Sequence, residues 1–492
     1  MRINLKDGLK VMLGYNVTED KGRRQSPSSR VKHESDILTP NKRRKLQATA
    51  QDQMRNHAIL AWMVRKHLDY VSQFHIQTDS GNESVNTLLD RIFKWHGTPN
   101  NFDIARRFGR NEMYRMFELE KVVNGDAAII KLDGMKLQAM ESDRITKGSY
   151  DGDEEVTGSG LIADKYGAID KFCICNRVSQ SNNYEFDHLE PADNVIFDAY
   201  WTRFGSQFRG VSPLSTALNT MQDISEAFEW NLVKAKMHAL FGVAILRKTD
   251  GADEFGGAAG SGAETADQAA DATDTQLDLD PRSVNVLDLN PDEDVKILES
   301  GTPSSEFVEG SYLFIQCALL ALDIPITCFD SRRSSFSARI ADLNEYEVSS
   351  RYKIQKNRYA HQNYSDWVID AIWNDTNTPW PLRKIALDAG MNKRDVQEAI
   401  EWVPHGSPWM DKLDQLKGDD LGISLAIDNP VDAARRRGMD VFKNIDKIAK
   451  VQEYARSKGV VLKVASSGDK TLNDAIDEKI EDEKKQDSKD DN

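Results

Sequence analysis

Between Arg209 and Gly242 the chain reads as one long helix with a marked start. Ser212 is a good N-cap, and Pro213 follows at the first helical position, where its missing N–H costs nothing. Apolar side chains then recur at Leu214, Ala217, Leu218, Met221, Ile224, Phe228, Leu232, Ala235 and Ala239. That spacing is helical with almost no break. Gly242 is a plausible terminator. At ~1.5 Å per residue the stretch makes a rod of roughly 40 Å. A second apolar helix, Ser304 to Leu322, follows after an insert. Two readings fit this pattern. The pair could be core helices of a large α+β domain, or stalk helices with a module inserted at their far end.

The run Arg209-Gly210-Val211-Ser212-Pro213-Leu214, leading into a helix that closes with Lys234-Ala235-Lys236, resembles the portal proteins of tailed bacteriophages, lambda type. Three segments add to the likeness: Leu137 to Ile145, Asp193 to Phe197 and Ser334 to Arg339. Their order and spacing carry it over residues 50 to 440. The resemblance implies an α+β, portal-like fold. Residues 1–50 would be a flexible arm that clasps a neighbour, and 51–211 a wing-like α+β domain. Residues 212–242 would be the first stem helix, packed through Leu218, Met221, Ile224, Phe228 and Leu232. It further implies a clip-like insert at 243–303, a second stem helix at 304–325, a tunnel loop and kinked helix at 326–373, and a helical crown at 374–465.

Composition narrows the partners. A net charge of −15 argues against a protein that grips nucleic acid through a broad basic surface. It leaves room for one that surrounds DNA without gripping it. Cys173, Cys175, Cys317 and Cys328 form no CxxC and no zinc spacing. Cys173 and Cys175 are two apart on an expected strand and so share a face, which fits a reduced cytoplasm. No apolar signal segment opens the chain. The run Leu313 to Ile326 is too short to span a membrane and contains Asp323.

Along the chain, residues 1 to 50 are polar, with basic clusters at Arg23-Arg24 and Lys42 to Lys45. They read as an arm in preference to a DNA-binding tail. Helices are expected at 52–78, Ser84 to His96 and Phe102 to Val123, the last ended by Gly125. Strands are expected at Ala127–Leu132, Lys136–Met140, Ile169–Asn176 and Asn194–Phe197. From Asp250 to Asp280 there are nine acidic residues and no basic one, so this segment is expected to be mobile. Strands Ser283–Leu289 and Asp294–Leu298 should follow it. Pro325 must break or kink the chain, and Arg332, Arg333, Ser334 and Ser335 form a polar loop before the next helix. The resemblance places that loop at the narrowest part of a channel. Helices are then expected at Asn392–Glu401, Pro430–Arg437 and Val441–Lys458, and residues 466–492 as a disordered acidic tail.

Enzyme motifs are lacking. No GxxxxGK[ST], HExxH or GxSxG occurs, and the nine histidines show no metal-like spacing. No catalytic residue, metal or cofactor is expected. The resemblance implies a ring of about twelve copies at one capsid vertex. Double-stranded DNA would pass through it. Its expected partners are the large terminase subunit, a head–tail adaptor and the major capsid protein or scaffold. It would be assembled in the host cytoplasm and would contact no membrane. The rival reading is a DNA-processing enzyme with an unrecognised carboxylate site.

Overall fold

The computed structural model describes residues 33–178, 183–240, 243–247, 293–297, 304–375, 377–406 and 412–460. The chain divides into two units. Unit 1 holds residues 1–73 and 78–400, and unit 2 holds 74–77 and 401–492.

Unit 1 begins with α1 (Glu34–Ile37), α2 (Pro40–Asn56) and α3 (Ala58–Val71). Leu38, Leu46 and Ala50 are buried in one core with Leu60, Met63, Val64 and Leu68. The expected arm is therefore wrong for residues 33–50; the rest of it lies outside the described residues. The basic run misled because Arg43 is itself buried, while its helix mates Leu46 and Ala50 carry the apolar face. The single helix expected over 52–78 is also divided. His57 adopts extended backbone between α2 and α3, and the chain straightens into β1 (Phe74–Thr78).

The helix α4 (Glu83–His96) starts where the Asn82 side chain accepts from the Ser84 and Val85 amides. It turns Val85, Leu88, Leu89, Ile92 and Phe93 inward. The expected helix from Phe102 is broken in two, as α5 (Pro99–Phe102) and α6 (Arg110–Asn124). Asp103 holds the intervening loop by accepting from the amides of Ala105, Arg107 and Phe108. Gly125, at φ 97°, ends α6.

Two small antiparallel sheets follow. In the first, β2 (Asp126–Leu132) lies between β3 (Lys136–Met140) and β7 (Val195–Ala199), with Ile129 opposite Ala139 and Ile196. In the second, β5 (Ile169–Arg177) lies between β4 (Leu161–Ala163) and β6 (Tyr184–Pro191). Alternation along β5 turns Phe172 and Ile174 toward Ala128, Ile130, Met140 and Val195 of the first sheet. Cys173 and Cys175 face the other way, with Val156 and Tyr184, and both are free thiols.

The long rod follows as a 3₁₀ turn, Pro213–Thr216, and then α7 (Leu218–Leu240). Gly242 lies outside the described residues, as do 250–280 and the strand expected at 283–289. The strands β8 (Val243–Arg247) and β9 (Glu293–Ile297) pair antiparallel. The helix α8 (Ser305–Leu319) returns beside α7, and Phe307 meets Phe228 edge-on at 5.7 Å between ring centroids. The helix α9 (Phe336–Asn374) runs without interruption from the end of the loop. Its second half buries Asn357, Ala360, His361, Tyr364, Ser365, Val368, Ile369 and Ile372, one face at three- and four-residue steps. The helices α10 (Leu382–Asp388) and α11 (Lys393–Glu398) complete unit 1.

In unit 2, β10 (Ile400–Pro404) pairs with β1. It is followed by α12 (Lys412–Ser424), α13 (Pro430–Arg436) and α14 (Val441–Ser457). The region expected to be wholly helical from 374 thus carries a strand, and the helix expected over Asn392–Glu401 ends at Glu398. The reason is composition: Ile400, Trp402 and Val403 favour a pleated, buried segment. The division between units falls at 400/401 and not at 373/374. The expected acidic tail, 466–492, lies outside the described residues.

Candidate functional site: the α7–α8 pair, its anchor and the loop beyond it

The start of the long rod is built into the sheet domain. Arg209 is buried, and its guanidinium forks onto Asp126, with Nε to Oδ2 and Nη2 to Oδ1 each 2.7 Å. The remaining donors reach the carbonyls of Ile145 at 2.6 Å, Ser159 at 2.9 Å and Ser142 at 2.8 Å. Asp126 also accepts from the Gly210 amide at 2.9 Å and from the Ser142 hydroxyl. Burial alone would push the Asp126 carboxyl up, but the Arg209 charge and its hydrogen bonds hold it below its ordinary value. A second guanidinium, Arg43, donates to the Ile145 carbonyl at 3.3 Å. Burial, then the neighbouring Arg209 charge, draws it down to about 9.

Two glycines allow this closeness. A Cβ on Gly210 would stand 1.9 Å from the Gly125 carbonyl oxygen, and one on Gly125 would stand 2.6 Å from that of Gly210. Ser212 does two jobs. Its hydroxyl donates to the Val122 carbonyl at 2.6 Å and accepts from the Leu214 amide at 3.2 Å. The six-residue motif therefore both caps the rod and rivets it to the α6–β2 turn. Sequence reading used Arg209 only as a landmark and missed Asp126, Ser142 and Arg43. A charged residue directly before a Gly and a helix cap was the available signal.

Beside this anchor, Glu120 is partly buried and accepts from the Ser142 amide at 2.8 Å. Burial, reinforced by Glu141 and Asp126, pushes its carboxyl up from 4.5 to about 7. A raised carboxylate stabilises the fold fully below its unfolded value, and that contribution is lost as pH climbs toward the folded one. Between pH 4.5 and 7 the native protein should therefore lose melting temperature relative to Glu120→Gln. The expected loss is a few degrees, at roughly 2–4 °C per kcal/mol. Parallel melting curves across that window would remove the assignment.

The expected packing residues on α7 divide into two groups. Leu218, Met221 and Ile224 are buried in the core of unit 1. Phe228 is 41% and Leu232 56% exposed within a single subunit, and Trp230 is 73% exposed. Phe228 and Leu232 line a groove of about 780 Å³ together with Phe307, Val308, Tyr312 and Phe329. Residues Ser305–Leu322 form a segment long and apolar enough to cross a membrane by length and composition, and 22% of it is buried.

Pro325 does not kink a helix. The helix α8 and its 3₁₀ extension have already stopped, because Asp323 sits in left-handed backbone at φ 60°. The Ile324 amide reaches back to the Leu319 carbonyl and the Asp323 amide to that of Leu320. This is a Schellman stop, and proline follows it as the residue that cannot resume the helix. Lys353 of α9 clamps the end, donating to Asp323 Oδ2 at 2.9 Å and to the Leu322 carbonyl at 3.3 Å.

Residues Ser331–Arg333 form a 3₁₀ turn. The Arg332 side chain is 88% exposed, and its fork lies on Asp330, with Nε to Oδ1 at 3.0 Å. Its charge is thus already paired within the subunit, which the sequence reading did not foresee. The side chain of Arg333 lies outside the described residues. Ser334 donates to the Ser331 carbonyl, and the Ser335 hydroxyl caps α9 by accepting from the Ala338 amide.

Behind the loop, α9 is held by a buried ionic network. Lys121 meets Glu118 and Asp198, each at 2.6 Å, and donates to Asn357 at 2.9 Å. Lys356 meets Asp198 at 2.9 Å. The Tyr200 hydroxyl donates to Glu118, and the His67 ring lies 3.0 Å from the same oxygen. Among the described residues no group of three His, Cys, Asp or Glu side chains could hold a metal ion.

The sequence model of the phage portal protein, lambda family, matches residues 21–327, more than half of the chain. The chain belongs to the lambda family of phage portal proteins. The matched span contains the Arg209 anchor and the whole of α7 and α8, and it ends before Arg332. Three solved structures are similar to this portal protein, each covering 79% of it and 93% of its own chain. They are the neck of an empty gene transfer agent particle computed with C6 symmetry (12% identity, TM-score 0.41), the virion of a native particle of that kind (14%, 0.39) and the neck of a native particle computed with C12 symmetry (13%, 0.39). No curated protein matches the chain.

Proposed function

We propose that this portal protein works as a closed ring of about twelve copies at one vertex of a phage capsid. DNA enters and leaves through the centre of the ring. The observation that carries this reading is the outward-facing apolar surface of the stem pair. Phe228, Trp230 and Leu232 on α7, and Val308, Leu313 and Phe314 on α8, are all exposed in one subunit. Such a surface is stable only when something covers it. A neighbour related by a closing rotation covers every copy at once.

The channel mechanism follows from charge. A wall rich in free cations would neutralise many phosphates, and each contact would have to be broken during translocation. Arg332 is one exposed guanidinium lying beside Asp330, and it can exchange between that carboxylate and a phosphate at little cost. Contacts made by such exchange are backbone-only and brief. The residues between the stem helices, 243–303, would meet the large terminase subunit and later the head–tail adaptor. The sheet domain would face the major capsid protein or scaffold. Assembly would take place in the host cytoplasm, without a membrane, cofactor or enzymatic step. Native mass spectrometry and negative-stain microscopy of the purified protein should show closed rings that do not cut or join DNA when divalent metal is added. A small oligomer with metal-dependent turnover on DNA would replace this reading with the DNA-processing enzyme.

A further inference from the structure

The helix α8 is apolar on two opposite faces. Ile315, Ala318 and Leu319 are buried in the core of unit 1. On the same side, Phe307, Val308 and Tyr312 line the groove that α7 and Phe329 complete. At about 3.6 residues per turn, Leu313, Cys317 and Leu320 fall roughly half a turn away from that face. Leu313 is 58% and Leu320 65% exposed, Phe314 beside them is 49% exposed, and Cys317 is exposed too. These four side chains form a ridge on the back of the helix that walls the groove.

Nothing on the ridge resists leaving water. No charged residue occurs from Gly310 to Leu322, so covering this stretch of α8 desolvates no ion. The back of α7 differs. Trp230 and Val233 are exposed there, but Glu226, Glu229 and Lys234 stand around them and are exposed as well. A neighbour laid over that face would bury charge.

A groove on one side and a ridge on the other suit a head-to-tail contact. A two-fold contact sets like against like, and leaves either the ridge or the groove wet in both copies. A ridge seated in the next copy's groove covers both surfaces in one step, and the step repeats until the rotation closes. Rows of side chains on one helix fill grooves on others in ordinary helix packing. Resting on the ring proposed above, we propose that the occupant of the α7–α8 groove is the Leu313–Leu320 ridge of a second copy of this chain. Each subunit gives its ridge to one neighbour and its groove to the other.

The test uses the full-length protein carrying Cys328→Ser. Cys317 is then the one accessible thiol, since Cys173 and Cys175 are buried. One cysteine is added to the groove, Ser311→Cys or Leu232→Cys, and the protein is oxidised with copper phenanthroline. Cys317 of one subunit joins the added thiol of the next only within disulfide reach. A ladder of covalent multimers on denaturing gels is expected from at least one position, and Cys317→Ser should abolish it. The double change Leu313→Asp with Leu320→Asp should raise the concentration needed for assembly about a hundredfold, in a subunit that melts normally. Native mass spectrometry reports rings independently of the cross-link. Normal rings without a Cys317-dependent ladder from either position overturn the ridge-and-groove contact and leave the ring standing, whereas absence of rings removes both. Covalent dimers through Cys317 before any cysteine is added would show a two-fold contact and also overturn the proposal. So would flotation with phosphatidylcholine vesicles that the double aspartate change abolishes, since the ridge would then be a membrane face.

Discussion

Arg209→Gln should cost about 3–5 kcal/mol of stability, enough to leave little folded protein at 37 °C, because it strands the buried Asp126 carboxylate without its cation. The loss has several parts acting together. Asp126 keeps the Gly210 amide and the Ser142 hydroxyl, but these two neutral donors replace a bidentate charged fork. The carbonyls of Ile145, Ser159 and Ser142 lose donors at the same time. Arg209→Lys should recover only part of the loss, since one ammonium cannot reach both Asp126 oxygens and three carbonyls. The measurement is chemical denaturation of the soluble fraction. A midpoint within error of the native protein would show that Arg43 can take over the carboxylate, and would demote Arg209 from anchor to ornament.

The double change Phe228→Asp with Leu232→Asp should leave the subunit folded and abolish rings. Both side chains are about half-exposed in the single chain, so two carboxylates there stay hydrated. In a ring the same carboxylates would be buried against a neighbour, at several kcal/mol each. The concentration needed for assembly should rise at least about a hundredfold. Ile224→Asp is the control: that position is buried in the core of unit 1, and the change should unfold the subunit instead. Native mass spectrometry reports assembly, and melting by circular dichroism reports folding. Ring populations equal to the native protein's, from a double variant that melts normally, would remove the assignment of this face to a subunit contact.

Much of the fold was legible in the sequence where a local rule acted alone. The Ser212 cap, the Gly125 stop and the α4 stripe each follow from a few neighbouring residues. Legibility failed where distant residues decided the matter. Nothing local in Lys42-Arg43-Arg44-Lys45 says that Arg43 is buried beside Arg209 while Arg44 lies over Tyr184. The strand β6 was invisible because Glu185, Asp187 and Glu190 read as loop, although charges on an exposed strand edge are ordinary. The end of α8 was half legible. Pro325 announced a stop, but the stop itself is made by Asp323 in left-handed backbone and a lysine thirty positions on. In the candidate loop the charges were legible and their state was not, since Arg332 could not be seen to lie on Asp330.

The pairing of β1 with β10 sets an order of events at the ribosome. β1 begins at Phe74 and its partner strand at Ile400. At the usual pace of translation, 5–20 residues per second, the first strand emerges on the order of tens of seconds before the second exists. During that wait a hydrophobic strand edge has no native mate in its own chain. Unit 2 is thus the last part of each subunit to close, however early its first strand is made. A nascent or truncated chain that stops short of Ile400 carries an open strand able to pair with another copy.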